Sequence, residues 1–303
     1  MARWHILGAS VRGAAHRRRG LPNQDAIGWW VTPAGESEGP SGTAFALAIA
    51  DGHGSAKCVR SATGARFAVE AALDLARHWV CRLEDGPTSL DSLAQGIVER
   101  WQARVAADLE AAALTPGELE LVAQEDGPAA GRLVAASPQI AYGATVLLAA
   151  VAGDQALYLQ LGDGDLLVVD DRGRVSRPLA PDARLFAGET TSLCGPDAWR
   201  DVRVACRPLG AATPALILLS TDGYANSFRE PVGFLRVGPD LLETIRAEGI
   251  DAVGASLERW LEETSQWGSG DDVTLGLACR LDAVSLAPAS TEATPAEAGS
   301  PPG

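Results

Sequence analysis

The sequence predicts an α+β protein in which antiparallel sheets are covered by helices, and three observations carry that reading. Short apolar runs of strand length recur along the chain, whereas helical spacing is confined to two separated pairs of segments. The order is therefore strands, two helices, more strands, two helices and a final strand, which is segregated rather than alternating. Neighbouring runs are also joined by connections too short for a crossover helix; Asp171-Arg172-Gly173 between two of them reads as a hairpin turn. A doubly wound parallel sheet is excluded on this ground.

The first strands are read at Trp4–Val11, Ala26–Val31 and Thr43–Ala50. Apolar residues then fall at helical spacing through Ala62, Ala65, Val69, Leu73, Ala76 and Val80, and again through Leu90, Leu93, Ile97, Trp101, Val105 and Leu109, predicting two adjacent antiparallel helices. Strands follow at Tyr142–Val151, Ala156–Leu161, Leu166–Val169, Asp201–Cys206 and Ala215–Ser220. A second helix pair is read at Asp240–Glu248 and Asp251–Glu263, with Gly249 able to end one and Asp251 to cap the next. In the last strand, Val273–Leu281, the residues Val273, Leu275, Leu277, Cys279 and Leu281 alternate with smaller or polar ones and should share one face. Trp29, Trp30, Trp79, Trp101 and Trp260 fall within these patterns and are read as core. The segments Gly210–Pro214 and Asp182–Trp199 read as surface loops.

With 303 residues and a formal net charge of −14, the chain is expected to carry no basic nucleic-acid footprint and no polybasic membrane anchor. Its five cysteines are scattered, without Cys-x-x-Cys or zinc spacing, as expected of reduced thiols in a cytosol. No apolar run is long enough to span a bilayer and the N-terminus lacks an apolar signal core, so a cytoplasmic protein is expected. Residues 1–282 are read as one domain, and the Ala/Pro/Ser/Thr-rich tail 283–303 as disordered.

The chemistry is concentrated in acidic residues. Asp-Gly occurs at Asp51-Gly52, Asp85-Gly86, Asp126-Gly127, Asp163-Gly164 and Asp222-Gly223. Turn formation alone accounts for Asp-Gly in polar connectors, the setting of the pairs at Asp85 and Asp126. Asp51, Asp163 and Asp222 instead follow apolar strand runs directly, and the ends of core strands are rigid mounts for site residues. Carboxylates on adjacent strand ends repel unless a cation lies between them, and hard oxygen donors point to Mg²⁺ or Mn²⁺. Asp271-Asp272, opening the final strand, adds a carboxylate pair in the same kind of place.

The ordered set Asn23-Gln24-Asp25, Ala50-Asp51-Gly52-His53-Gly54, Gly143-Ala144-Thr145, Leu161-Gly162-Asp163-Gly164, Ser220-Thr221-Asp222-Gly223 and Gly270-Asp271-Asp272-Val273-Thr274 resembles the metal-dependent serine/threonine protein phosphatases of type 2C. The resemblance implies a four-layer α-β-β-α sandwich, two packed antiparallel sheets flanked by helix pairs. It implies that Asp51 bridges two Mn²⁺ or Mg²⁺ ions, that the Gly52 carbonyl joins one, and that Asp222 and Asp271 bind the other. Asp25 would hold metal-bound water, and Asp163 matches the residue associated with a third ion; Asp271 ranks above Asp272 as the ligand. The reaction implied is hydrolysis of phosphoserine or phosphothreonine in proteins, with a bridging hydroxide attacking phosphorus directly and His53 as general acid toward the alkoxide.

The sequence departs from the family at the phosphate clamp. The family commonly has arginine four residues before the acidic residue of the first motif; Gly20 stands there, and the acidic position is Gln24. Arg17, Arg18 and Arg19 are the available replacements, with Arg19 the expected contact to the substrate phosphate. A bacterial branch is similar here, with His16, Gly20 and Gln24-Asp25 at like spacing and a segment like Glu189-Thr190-Thr191, and it implies pairing with a serine/threonine kinase. Two alternatives stay open at this level: a weakly active or inactive type 2C fold acting as a binding or regulatory module, and a metal-dependent phosphoesterase for a small phosphate ester.

Overall fold

The structure, a computed structural model, describes residues 2–32, 44–86, 88–182, 190–210 and 213–285. Among the described residues ten strands form two five-stranded sheets: β1 (Trp4–Val11), β2 (Ala26–Val31), β3 (Phe45–Ala50), β4 (Val146–Ala152), β5 (Gln155–Leu161), β6 (Asp165–Val169), β7 (Val175–Ser176), β8 (Arg203–Pro208), β9 (Leu216–Ser220) and β10 (Val273–Arg280). The orders are β1-β10-β9-β6-β7 and β2-β3-β4-β5-β8, and every pairing is antiparallel. The predicted turn at Asp171–Gly173 joins β6 to β7, with Gly173 at φ 77° and the Asp170 carboxylate accepting from the Arg172 and Arg174 amides.

Helices lie outside both sheets. Against the β2–β8 sheet pack α2 (Ser61–Cys81) and α3 (Leu90–Ala111); against the other pack α8 (Val237–Glu248) and α9 (Ile250–Trp267). Three apolar clusters result. One lies under α2 and α3, around Leu75, Trp101 and Leu148; one lies under α8 and α9, around Leu218, Leu257 and Leu277; the third lies between the sheets, around Phe45, Leu47, Ile49 and Ile217. This is the four-layer sandwich. In β10 the alternation holds, since Val273, Leu275, Leu277 and Cys279 face the helices while Ala278 faces the opposite sheet. Both faces are buried, and Leu281 already opens a short helix.

Several expectations need correction. β8 starts two residues later than predicted, at Arg203, and β4 starts only at Val146 because Pro138–Tyr142 form a 3-10 turn. Trp29 is 43% exposed on edge strand β2, whereas Trp79 and Trp101 are buried. The loop read at 182–199 contributes to the core through Leu193 and Ala198; residues 183–189 lie outside the described ones. The tail boundary moves as well, because Leu281–Val284 are helical with Ala283 buried, and residues 286–303 lie outside those described. Further helices, unpredicted, are α1 (Ala14–Arg19), α4 (Pro116–Glu125), α5 (Pro128–Ala136), α6 (Asp222–Ala225), α7 (Pro231–Leu235) and α10 (Leu281–Val284). Among the described residues, no helix is long and apolar enough to cross a membrane.

Candidate metal centre

Strand register gathers the acidic residues at one end of the sandwich. Ala26 opposes Ala50, so Asp25, just before β2, and Asp51, just after β3, lie side by side. Ser220 of β9 opposes both Leu275 of β10 and Asp165 of β6. Asp222, two residues past β9, Asp271, two before β10, and Asp163, in the turn that carries the chain from β5 in one sheet to β6 in the other, therefore converge from the second sheet. Gly223 makes that convergence possible, because a Cβ there would fall 2.1 Å from the Asp272 carbonyl oxygen. Gly52 approaches α2 just as closely, a Cβ there falling 2.6 Å from the Ser61 carbonyl oxygen.

Crowding and desolvation govern the charges of this cluster. Burial raises Asp25 to about 8, against two hydroxyl donors that lower it, with the charges of Asp272 and Asp222 adding to the rise. Those donors are Thr274 Oγ1 and Thr221 Oγ1, at 2.7 and 2.8 Å from Asp25 Oδ2. Oδ1 of Asp25 is enclosed and has no hydrogen-bond partner. Asp51 is raised well above the ordinary carboxylate range by burial and by the neighbouring Asp25 and Asp222 carboxylates. Asp222 is itself raised, chiefly by burial. Carboxylates that must keep protons at neutral pH, together with an enclosed oxygen lacking a donor, are what a hard divalent cation would relieve. The donor set fits Mg²⁺ or Mn²⁺.

A profile of the family described as protein phosphatase 2C matches residues 12–262, the stretch that carries Asp25, Asp51, Asp163 and Asp222, while Asp271 and Asp272 lie just beyond it. The chain belongs to the protein phosphatase 2C family. The catalytic domain of the serine/threonine protein phosphatase PstP, in a structure with two manganese ions, superposes with a TM-score of 0.52 at 19% identity, covering 92% of this chain and 99% of that one. A bacterial serine phosphatase gives 0.51 at 14% identity, covering 92% and 98%. A C. elegans sex determining protein gives 0.50 at 18%, covering 92% of this chain and 66% of its own. At these identities the likeness is one of fold. No curated protein matches the chain.

Within this type 2C scaffold the remaining predicted residues are distributed unevenly. His53 donates its backbone N–H to the Gly143 carbonyl and is lowered by burial, with the nearby Asp163 charge opposing that shift. Asp163 thus faces both His53 and Asp222, and it borders a recess of about 310 Å³ lined also by Gly164, Pro181 and Arg177. Arg19 stands exposed at the end of α1, and Arg17 is paired with Glu262 at 2.9 Å. Gln24 is a strut: its amide donates to Asp272 Oδ2 at 2.6 Å, its side-chain Nε2 donates to Ser61 Oγ at 2.8 Å, and its carbonyl accepts from Gly52. Asp272 is buried with both oxygens committed, Oδ1 to the Gly13 amide at 2.6 Å, whereas the Asp271 side chain is half exposed. The roles of Thr221, Thr274 and Gln24 were not read from the sequence, although all three lie inside the quoted motifs.

Proposed function

We propose that this protein is a Mn²⁺- or Mg²⁺-dependent serine/threonine phosphatase acting on phosphorylated proteins. The observation that supports it best is the convergence of Asp25, Asp51 and Asp222 into one desolvated acidic cluster, with the half-exposed Asp271 at its edge, from four strand ends of two sheets. A regulatory module with the same fold would gain nothing from so costly an arrangement, since unneutralised buried carboxylates destabilise it. When bound, two divalent ions would supply an activated water and positive charge against the phosphoryl oxygens. Asp51 and the Gly52 carbonyl would hold them together with Asp222 and Asp271, Asp25 would orient their water, and Asp163 would serve a third ion.

In this reading His53 gives a proton to the departing serine or threonine oxygen, and the exposed Arg19 meets the substrate phosphate. Hydrolysis of p-nitrophenyl phosphate and of a phosphothreonine peptide should require Mn²⁺ or Mg²⁺ and stop with chelator, and Arg19→Ala should raise KM without lowering kcat. Activity that persists in chelator would refute the metal-dependent reading. A cytoplasmic location and opposition to a serine/threonine kinase are the cellular setting that fits this reading.

The proton-donor role has its own signature. His53→Ala should depress hydrolysis of the phosphothreonine peptide by roughly 10²-fold while sparing p-nitrophenyl phosphate, whose leaving group needs no acid. Because burial lowers His53 from 6.5, its protonated form is confined to more acid pH, and the gap between the two substrates should narrow as pH rises toward 6.5 from below. An equal loss on both substrates at every pH would assign His53 to packing.

A further inference from the structure

The first residues of the fold are laid directly on the loop that presents Asp271. The Gly13 amide donates to Asp272 Oδ1 at 2.6 Å, the Ala14 amide to Ser265 Oγ at 3.0 Å and the Ala15 amide to the Gly270 carbonyl at 2.7 Å, while Ser265 Oγ donates to the Asp271 carbonyl at 2.8 Å. The first three of these contacts join residues about 250 positions apart in sequence. Together they fix the backbone of the loop, and the Asp272 amide donates to Asp271 Oδ1 at 2.9 Å.

One side chain from that segment reaches it. His16, buried on the inner face of α1, puts Nε2 at 3.4 Å from Asp271 Oδ1 and Nδ1 at 2.9 Å from Asp272 Oδ2. Nδ1 lies off the line of a straight hydrogen bond, so this contact is one of packing. The three side chains form the one group among the described residues whose His and carboxylate atoms all lie within 4.8 Å of each other. The other groups facing the ring are accounted for: Arg12 donates to the His16 carbonyl, and Arg17 is turned to Glu262. Asp272 is spent on the Gly13 and Gln24 amides and cannot move. The imidazole, braced on that fixed carboxylate, restricts where Asp271 Oδ1 can point.

Building on the phosphatase reading above, we infer that His16 is a positioning residue for the metal-binding carboxylate of Asp271. It is not itself a ligand. Such outer contacts to a metal-binding carboxylate are typically worth 10- to 100-fold in metal affinity.

The test exploits the two ring nitrogens. A glutamine amide places its N–H near the position of Nε2, toward Asp271, whereas an asparagine amide places it near Nδ1, toward Asp272. Mn²⁺ affinity is measured by calorimetry on the whole chain, with the thermal midpoint of the metal-free protein as a control for folding. His16→Ala should weaken Mn²⁺ binding roughly tenfold or more, His16→Gln should restore it to within about threefold of wild type, and His16→Asn should remain near the alanine value. Wild-type affinity in His16→Ala, or equal weakening in all three variants, would overturn the inference while leaving the phosphatase reading intact. Wild-type protein that takes up no Mn²⁺ would overturn that reading and the inference together.

Discussion

Asp222→Asn should abolish turnover of both p-nitrophenyl phosphate and phosphothreonine peptide, by on the order of 10³-fold in kcat, without unfolding the protein. Asp222 opens α6 two residues after β9, where it lies against Asp51 and is braced by Asn226 Nδ2, which donates to its Oδ2 at 2.9 Å. An amide keeps that geometry but removes the negative charge that a divalent cation needs. A ligand worth several kcal/mol of transition-state stabilisation corresponds to a loss of that size, since about 1.4 kcal/mol is tenfold in rate. The stability expectation runs the other way. The Asp222 carboxylate is raised by burial, so it is carried at a cost in the metal-free fold, and the asparagine variant should melt no lower than wild type when metal is absent. Mn²⁺ should then stabilise wild type and leave the variant almost unmoved. A variant that retains Mn²⁺-dependent turnover would remove Asp222 from the metal centre, and with it the two-ion arrangement proposed for the site.

That contrast between an intact fold and a costly site also explains what could be read from sequence. Strands such as β3 and β5 were legible because core strands buried on both faces show as continuous apolar runs, and the helices α2, α3, α8 and α9 because each lays one stripe on a sheet. The helices α4 and α5 bury little, chiefly Val122 and Val134, so their apolar periodicity is faint. Their signal was chemical instead: Thr115 caps α4 in a reciprocal capping box with Glu118, and Pro116 and Pro128 occupy first turns. Arg60 then ties α4 in place through Glu118, at 2.6 Å, and Tyr142. Helix α1 offers no apolar stripe at all and exists because its amides and His16 are held by residues 265–272. The clustered acids were visible because each sits at a strand end. Their supports were not, because Gly13 with Asp272, and Thr221 and Thr274 with Asp25, are pairings that only the completed sheet order creates.

The energetic cost of the acidic cluster should be directly measurable as a pH dependence of the metal-free protein. Asp25 lies at 3.8 when unfolded and about 8 when folded, so the folded state holds the extra proton. Its contribution to stability is complete below pH 3.8 and is lost as pH rises through 8, at about 1.4 kcal/mol per pH unit for one proton. Asp51, raised in the same direction, adds to the slope. Groups with the opposite sign act lower: Glu118, lowered from 4.5 to about 2, contributes stability that is fully gained by pH 5, and His53, lowered from 6.5 by burial, stops contributing a slope once its unfolded form has titrated. The buried thiols, raised from 9.0, act only at higher pH. Between about pH 6.5 and 8 the carboxylates therefore stand alone, and the metal-free thermal midpoint should fall by about 5 °C or more across that window. Mn²⁺ must displace those protons to bind, so its stabilising effect should grow over the same interval. Asp25→Asn should flatten the metal-free slope and raise the midpoint at pH 8, because the amide oxygen can still accept from Thr221 and Thr274 while no charge is confined. A midpoint that holds level or climbs from pH 6.5 to 8, in wild type stripped of metal, would mean that these carboxyls ionise freely and that the cluster does not await a cation.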